Sequence, residues 1–84
     1  MRMNNKDEKF FTTYDLNISA VLIALGYSLD HLERQPNGRA AFSFLASPGI
    51  KKVVQDYWRQ QITLNPQKLF DSLKFLKNRL YSNF

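Results

Sequence analysis

The tripeptide Pro36-Asn37-Gly38 constrains this chain more than any other feature of it. Proline presets one backbone angle of a turn and glycine accepts the left-handed position, so the chain must reverse here. The segment after the reversal has a period of two. Ala40, Phe42 and Phe44 fall on one side of an extended strand, and Ala41, Ser43 and Leu45 on the other. The segment before it, "YSLDHLER", is more polar, with Leu29, His31 and Glu33 on one side and Asp30, Leu32 and Arg34 on the other. The pattern predicts a β-hairpin with one exposed face.

On both sides of the hairpin the period lengthens to that of a helix. "TTYDLNISAVLIALGY", residues 12–27, has Thr12 and Asp15 at near capping-box spacing, and Gly26 placed to end the helix in a left-handed turn. Leu16, Ala20 and Ile23 share one face, while Ile18, Val21, Leu22 and Leu25 cover most of the rest. A helix so apolar belongs at the centre of a core or against a second copy. After the hairpin, Ser47 is the expected N-cap and Pro48 the first helical residue. Ile50, Val53, Val54, Tyr57 and Trp58 then form a regular apolar stripe. "ITLN" reads as a short extended link that buries Ile62 and Leu64 or adds a brief strand. Asn65-Pro66 starts a last helix, whose leucines Leu69, Leu73, Leu76 and Leu80 are flanked by Phe70.

These segments predict an α+β fold in the order α-β-β-α-α. Residues 1–11 read as a flexible lead-in and residues 12–84 as one small domain. Its expected core is Leu22, Leu25, Phe42, Phe44, Val54, Trp58, Leu73 and Leu76. With 84 residues there is room for a single core near the lower size limit. Together with the apolar first helix, this predicts self-association, a homodimer being its simplest form. No cysteine is present, which excludes a disulfide framework and thiolate metal sites. The longest apolar run, Ala20–Leu25, is far short of the roughly 20 residues a membrane helix needs, and the polar start lacks a signal-peptide core. A soluble, cytoplasmic protein without a membrane partner is expected.

The inventory of reactive groups argues against catalysis. His31 is the only histidine and has no pair of carboxylates at ligand spacing. The serines sit at caps and helix flanks, outside any nucleophile elbow. Asp15, Asp30, Asp56 and Asp71 are scattered, and Gly26, Gly38 and Gly49 are too far apart to cradle a phosphate. The expectation is a non-enzyme with no metal and no cofactor.

Charge is more informative, because it is unevenly placed. Up to residue 50, Arg2, Lys6, Lys9, Arg34 and Arg39 are cancelled by Asp7, Glu8, Asp15, Asp30 and Glu33. Beyond it, Lys51, Lys52, Arg59, Lys68, Lys74, Lys77 and Arg79 face only Asp56 and Asp71, which yields the whole net charge of +5. A basic half suits an anionic partner, nucleic acid above all, although lysines also keep a helix soluble. On the last helix, Lys68, Ser72, Phe75 and Arg79 form a stripe away from the leucines. A ring between two cations with a hydroxyl beside it can hold phosphate and stack on a base, or bury against a protein. Lys51 and Lys52 are candidates to extend that surface, as is Arg39. The sequence therefore leaves two readings, a nucleic-acid-binding module and a protein-interaction module such as an inhibitor or adaptor.

The order of landmarks also resembles a known family. "TTYDLNISAVLIALGYSL", "FSF", "VVQDYW" and "NPQKLFDSLKFLKNRLY" follow one another as in a family of small uncharacterised domains encoded by bacteria and phages. The resemblance spans residues 12–81, with the Tyr-Trp pair and the proline-started last helix its most specific parts. It implies a bacterial or phage setting and supplies no activity or site.

Overall fold

The structure, a computed structural model, describes residues 9–82. Its elements are β1 (Phe10–Thr13), α1 (Leu16–Ala24), β2 (Leu29–Arg34), β3 (Ala40–Leu45), α2 (Ile50–Trp58) and α3 (Pro66–Tyr81). The fold is α+β, as expected, with one strand more than the hairpin supplies. β1 pairs antiparallel with the free edge of β3, so the sheet order is β1-β3-β2. β1 and β2 therefore run parallel on either side of β3, joined by α1 as a crossover.

The expected lead-in is corrected accordingly. Residues 1–8 lie outside the described residues, but Phe10 and Phe11 belong to β1, as do Thr12 and Thr13. Aromatic and β-branched residues favour a strand here, and the unpaired edge of β3 gives them a partner. Phe11 and Thr13 lie opposite Phe44 and Phe42, on the core side. The helix starts later than the capping pattern suggests. Asp15 is the N-cap, its Oδ1 accepting from Ile18 N–H at 2.9 Å, while its own N–H donates to Thr13 Oγ1. The chain thus passes from strand to helix across Tyr14.

At its other end α1 stops as expected. Gly26 takes φ +102°, with its N–H donating to Ile23 O and that of Tyr27 to Leu22 O. That pair of bonds satisfies two carbonyls of the last turn. The hairpin turn also forms as expected: Gly38 adopts φ +89° and its N–H closes the turn onto Gln35 O. In β2, a bulge between Leu29 and His31 changes the simple alternation. The extra residue turns both Leu29 and Leu32 toward the core, opposite Phe44 and Phe42, and leaves His31 and Glu33 outside.

The helices cover one face of the sheet. Ile18, Ala20 and Leu22 of α1, Phe42 and Phe44 of β3, Ile50 of α2 and Leu76 of α3 form one buried cluster. α3 packs along α1. Small residues are buried on both helices, and their hydroxyls are satisfied internally: Ser19 Oγ donates to Asp15 O and Ser72 Oγ to Lys68 O. α1 is therefore covered within a single chain, and the exposed apolar helix that motivated a homodimer is absent. The N-cap of α2 is Gly49, φ +94°, rather than Ser47, and Pro48 precedes the helix, because Ser47 O accepts from Ile50 N–H in a preceding turn. α3 starts as expected, Asn65 Oδ1 accepting from Gln67 and Lys68 N–H. Ile62 and Leu64 are half-buried, without forming a strand.

Two expected core residues lie outside it. Leu25 occupies the C-cap of α1 and is 39% exposed; Trp58, in the last turn of α2, is 66% exposed. Helical spacing assigns both to an apolar face but does not say how far the neighbouring elements extend along that face. Phe44→Ala is expected to lower stability by about 3–5 kcal/mol. Trp58→Ala should change it by less than about 1 kcal/mol, as at other surface positions. Chemical denaturation of the two variants checks this, and equal losses would return Trp58 to the core.

Candidate nucleic-acid interface

α3 turns its leucines inward, so two further faces of the helix are left for other uses. On the first, Lys68 and Arg79 are exposed and Phe75 is 44% exposed, with the Arg79 guanidinium 6.0 Å from the Phe75 ring centre. Ser72, expected beside them, is a correction. It is buried, and its hydroxyl donates to Lys68 O at 2.8 Å, so it offers nothing to a ligand. At 100° per residue Ser72 lies between the stripe and Leu76, close enough to the core to be covered by it.

Lys51 and Lys52 lie away from the Arg79 end of this stripe. Lys51 lines a cavity with Phe10, Phe11 and Gly49, at the end of the sheet where Phe10 pairs with Leu45. Lys52 Nζ lies 2.9 Å from Asp56 Oδ2, one turn along α2. The last turn of α3 meets the opposite end of the sheet, at the hairpin turn, where Arg34 Nη2 donates to Leu80 O at 3.4 Å. The chain direction of β3 therefore sets Lys51 at the opposite end of the sheet from Arg79, which the sequence alone could not show.

The second face of α3 carries Phe70, Lys74, Lys77 and Tyr81 at spacings of four, three and four, which bring all four side chains onto one strip. Phe70 is 61% and Tyr81 84% exposed, and Lys74 and Lys77 are exposed between them. Neither lysine has an acidic partner among the described residues. The neighbouring Asp71 instead accepts from Gln67 Nε2. The sequence pattern places Phe70 beside the core leucines and points to the other stripe instead; the signal that marks this strip is the 4-3-4 spacing of rings and lysines.

The strip continues off the helix. Tyr81 borders a cavity of about 370 Å³ shared with Tyr14, Arg34 and Arg39, floored by Leu16, Phe42 and Leu80. The Arg39 guanidinium lies 4.4 Å from the centre of the Tyr14 ring, a cation–π contact. Arg34 Nη1 donates to Gly38 O, so Arg34 ties the hairpin turn to the end of α3. No carboxylate lines the cavity. Tyr14 and the arginines are far from Tyr81 in sequence, and only the pairing of β1 and β2 with β3 brings them together.

Elsewhere, Tyr57, Trp58, Gln60, Ile62 and Leu64 line a groove of about 560 Å³ between α2 and α3, floored by Val21. It holds no carboxylate, imidazole or amine. Tyr57 and Trp58 meet edge to face at 5.2 Å. On the outer face of the sheet, His31 Nδ1 lies 2.7 Å from Asp30 Oδ2, and its ring stands edge-on to Phe10. The nearby Ser43 hydroxyl is shared with Thr12 instead.

Residues 8–82 match the model of the family described as Domain of unknown function (DUF5659). The chain belongs to this family. No curated protein and no solved structure matches it. The matched span includes the strip on α3, the cavity at the hairpin end and the apolar groove, so all three lie within the family's domain.

The groove has one strained residue at its edge. Gln60 adopts φ 60°, the only positive value at a non-glycine position among the described residues. Its N–H donates to Tyr57 O and that of Gln61 to Asp56 O, ending α2 as Gly26 ends α1. A side chain in this region costs about 1–2 kcal/mol, which glycine avoids at some expense in unfolded-chain entropy. Gln60→Gly is therefore expected to raise stability by up to about 1 kcal/mol in urea denaturation. A loss of stability would show that the glutamine side chain contributes more than its strain.

Proposed function

We propose that this protein is a non-catalytic, cytoplasmic module that binds nucleic acid, serving as a regulator or accessory protein in a bacterial or phage setting. The observation that carries this reading is the strip Phe70–Lys74–Lys77–Tyr81. Lysines alone would keep a helix soluble, but two largely exposed rings held among them do not serve that end. Cations attract the phosphate backbone while rings stack on bases, and the combination suits a nucleic-acid strand. Lys68, Phe75 and Arg79 lie on the other flank of the same helix, about 160° around it at 100° per residue, and form a separate surface from the strip.

A second reading rests on a different surface. Trp58 beside the apolar groove is the kind of exposed aromatic that anchors protein interfaces, and it supports an inhibitor or adaptor role. A protein seated there would shift the emission of Trp58, the chain's only tryptophan.

Salt-titrated binding separates the two. Lys74→Ala with Lys77→Ala should weaken binding to mixed DNA or RNA and reduce the log–log salt slope by roughly one per lysine. The thermal midpoint should stay unchanged, since both side chains are exposed. Failure of the wild-type protein to bind any nucleic acid at about 50 mM salt, where phosphate contacts are strong, would reject this reading in favour of the groove.

A further inference from the structure

Building on the nucleic-acid reading above, we propose that the cavity between Tyr14, Arg39 and Tyr81 seats an unpaired base, and that the strand bound along α3 is single-stranded. The inference begins with the two rings of the strip. Phe70 and Tyr81 are eleven positions apart, about 16 Å along the helix at its usual rise, with Lys74 and Lys77 between them. Neither ring has an aromatic or cationic partner among the described residues. An exposed ring gains stacking energy only from a base whose face is free, and a duplex hides those faces within its own stack. Phosphates held by the two lysines would leave bases on either side to reach a ring.

The cavity adds the second part. At about 370 Å³ it falls within the range of clefts that enclose small ligands, roughly 300–1,000 Å³. Its floor, Leu16, Phe42 and Leu80, is apolar, whereas its wall carries two arginines and two tyrosines and no carboxylate. An apolar floor suits the flat face of a base, and the Arg39 guanidinium, with no carboxylate among the residues lining the cavity, suits the phosphate attached to it. The Arg39 guanidinium already lies over the Tyr14 ring at 4.4 Å, and aromatic rings and guanidinium groups are both surfaces on which unpaired bases pack. Arg34 holds the hairpin turn against the end of α3, so both sides of the cavity are tied together before a ligand arrives. Preorganisation of this sort removes part of the ordering cost of binding.

The test compares labelled single strands of about 12 nucleotides, DNA and RNA, with blunt duplexes of the same sequences at about 50 mM salt. Single strands should bind at least about tenfold tighter. Tyr81→Ala should lower single-strand affinity by roughly 5- to 150-fold and leave duplex affinity unchanged, while Tyr81→Phe, which keeps the ring, should restore binding. Tyr81 is 84% exposed, so the variant should melt at the wild-type temperature. Equal affinity for both forms, or an unaffected Tyr81→Ala variant, would overturn the inference while leaving general nucleic-acid binding in place. Absence of binding to either form would remove the underlying reading as well.

Discussion

Phe42 and Phe44 are almost fully buried on the middle strand of a three-stranded sheet, and the rest of the molecule is arranged to keep them so. Their rings require a cover on one face, which α1 begins and α2 and α3 complete through Ile50 and Leu76. Their backbone requires hydrogen-bond partners on two edges, which β1 and β2 supply. A chain of this length cannot form two cores, so each element contributes one side of the same apolar cluster. The bulge in β2 follows from that demand. Strict alternation would turn either Leu29 or Leu32 to solvent, and the extra residue lets both face the phenylalanines.

That arrangement also decides which surfaces remain available. α3 packs along α1 through its leucines and the buried Ser72, and its other faces point away from the core. Its last turn reaches the hairpin, where the carbonyl of Leu80 accepts from Arg34. A cation that serves as a tie inside the fold thus borders the same cavity as Arg39 and Tyr81. The groove on the other side of α3 has a different character. It arises because α2 and α3 diverge around the "ITLN" link, and apolar side chains line it throughout except for Gln60.

Local signals carried much of the fold. The Pro36-Asn37-Gly38 turn, the left-handed Gly26 and the Asn65-Pro66 start all act within a few residues of themselves, and each forms as the sequence indicates. The errors have non-local causes. β1 is not signalled because four residues, Phe10–Thr13, show too little alternation to announce a strand, and their partners are 29 to 35 positions away. Trp58 completes a regular apolar stripe, yet α2 outruns the elements beneath it. Lys51 and Lys52 share a sign with Arg79, but the direction of β3 sends the start of α2 to one end of the sheet and the end of α3 to the other. The ring and lysine strip of α3 is missed because Phe70 also flanks the leucines in spacing, although its 4-3-4 pattern is local, whereas the cavity that extends it depends on three strands meeting.

The charge asymmetry of the chain finds a physical setting in this geometry. Acidic residues in the first half do not simply neutralise its cations, because the ones that matter are engaged elsewhere: Asp15 caps α1 and Asp30 lies against His31. In the second half Asp56 is taken by Lys52 and Asp71 by Gln67. Those four carboxylates are thereby committed to local contacts, and Lys74, Lys77 and Arg39 are left facing solvent or rings. A modest net charge can act strongly when its counter-charges are held away from the surface that carries it, because over a few ångströms the local arrangement outweighs the total. At the strip on α3 and the hairpin-end cavity, such cations stand beside the exposed rings of Phe70, Tyr81 and Tyr14.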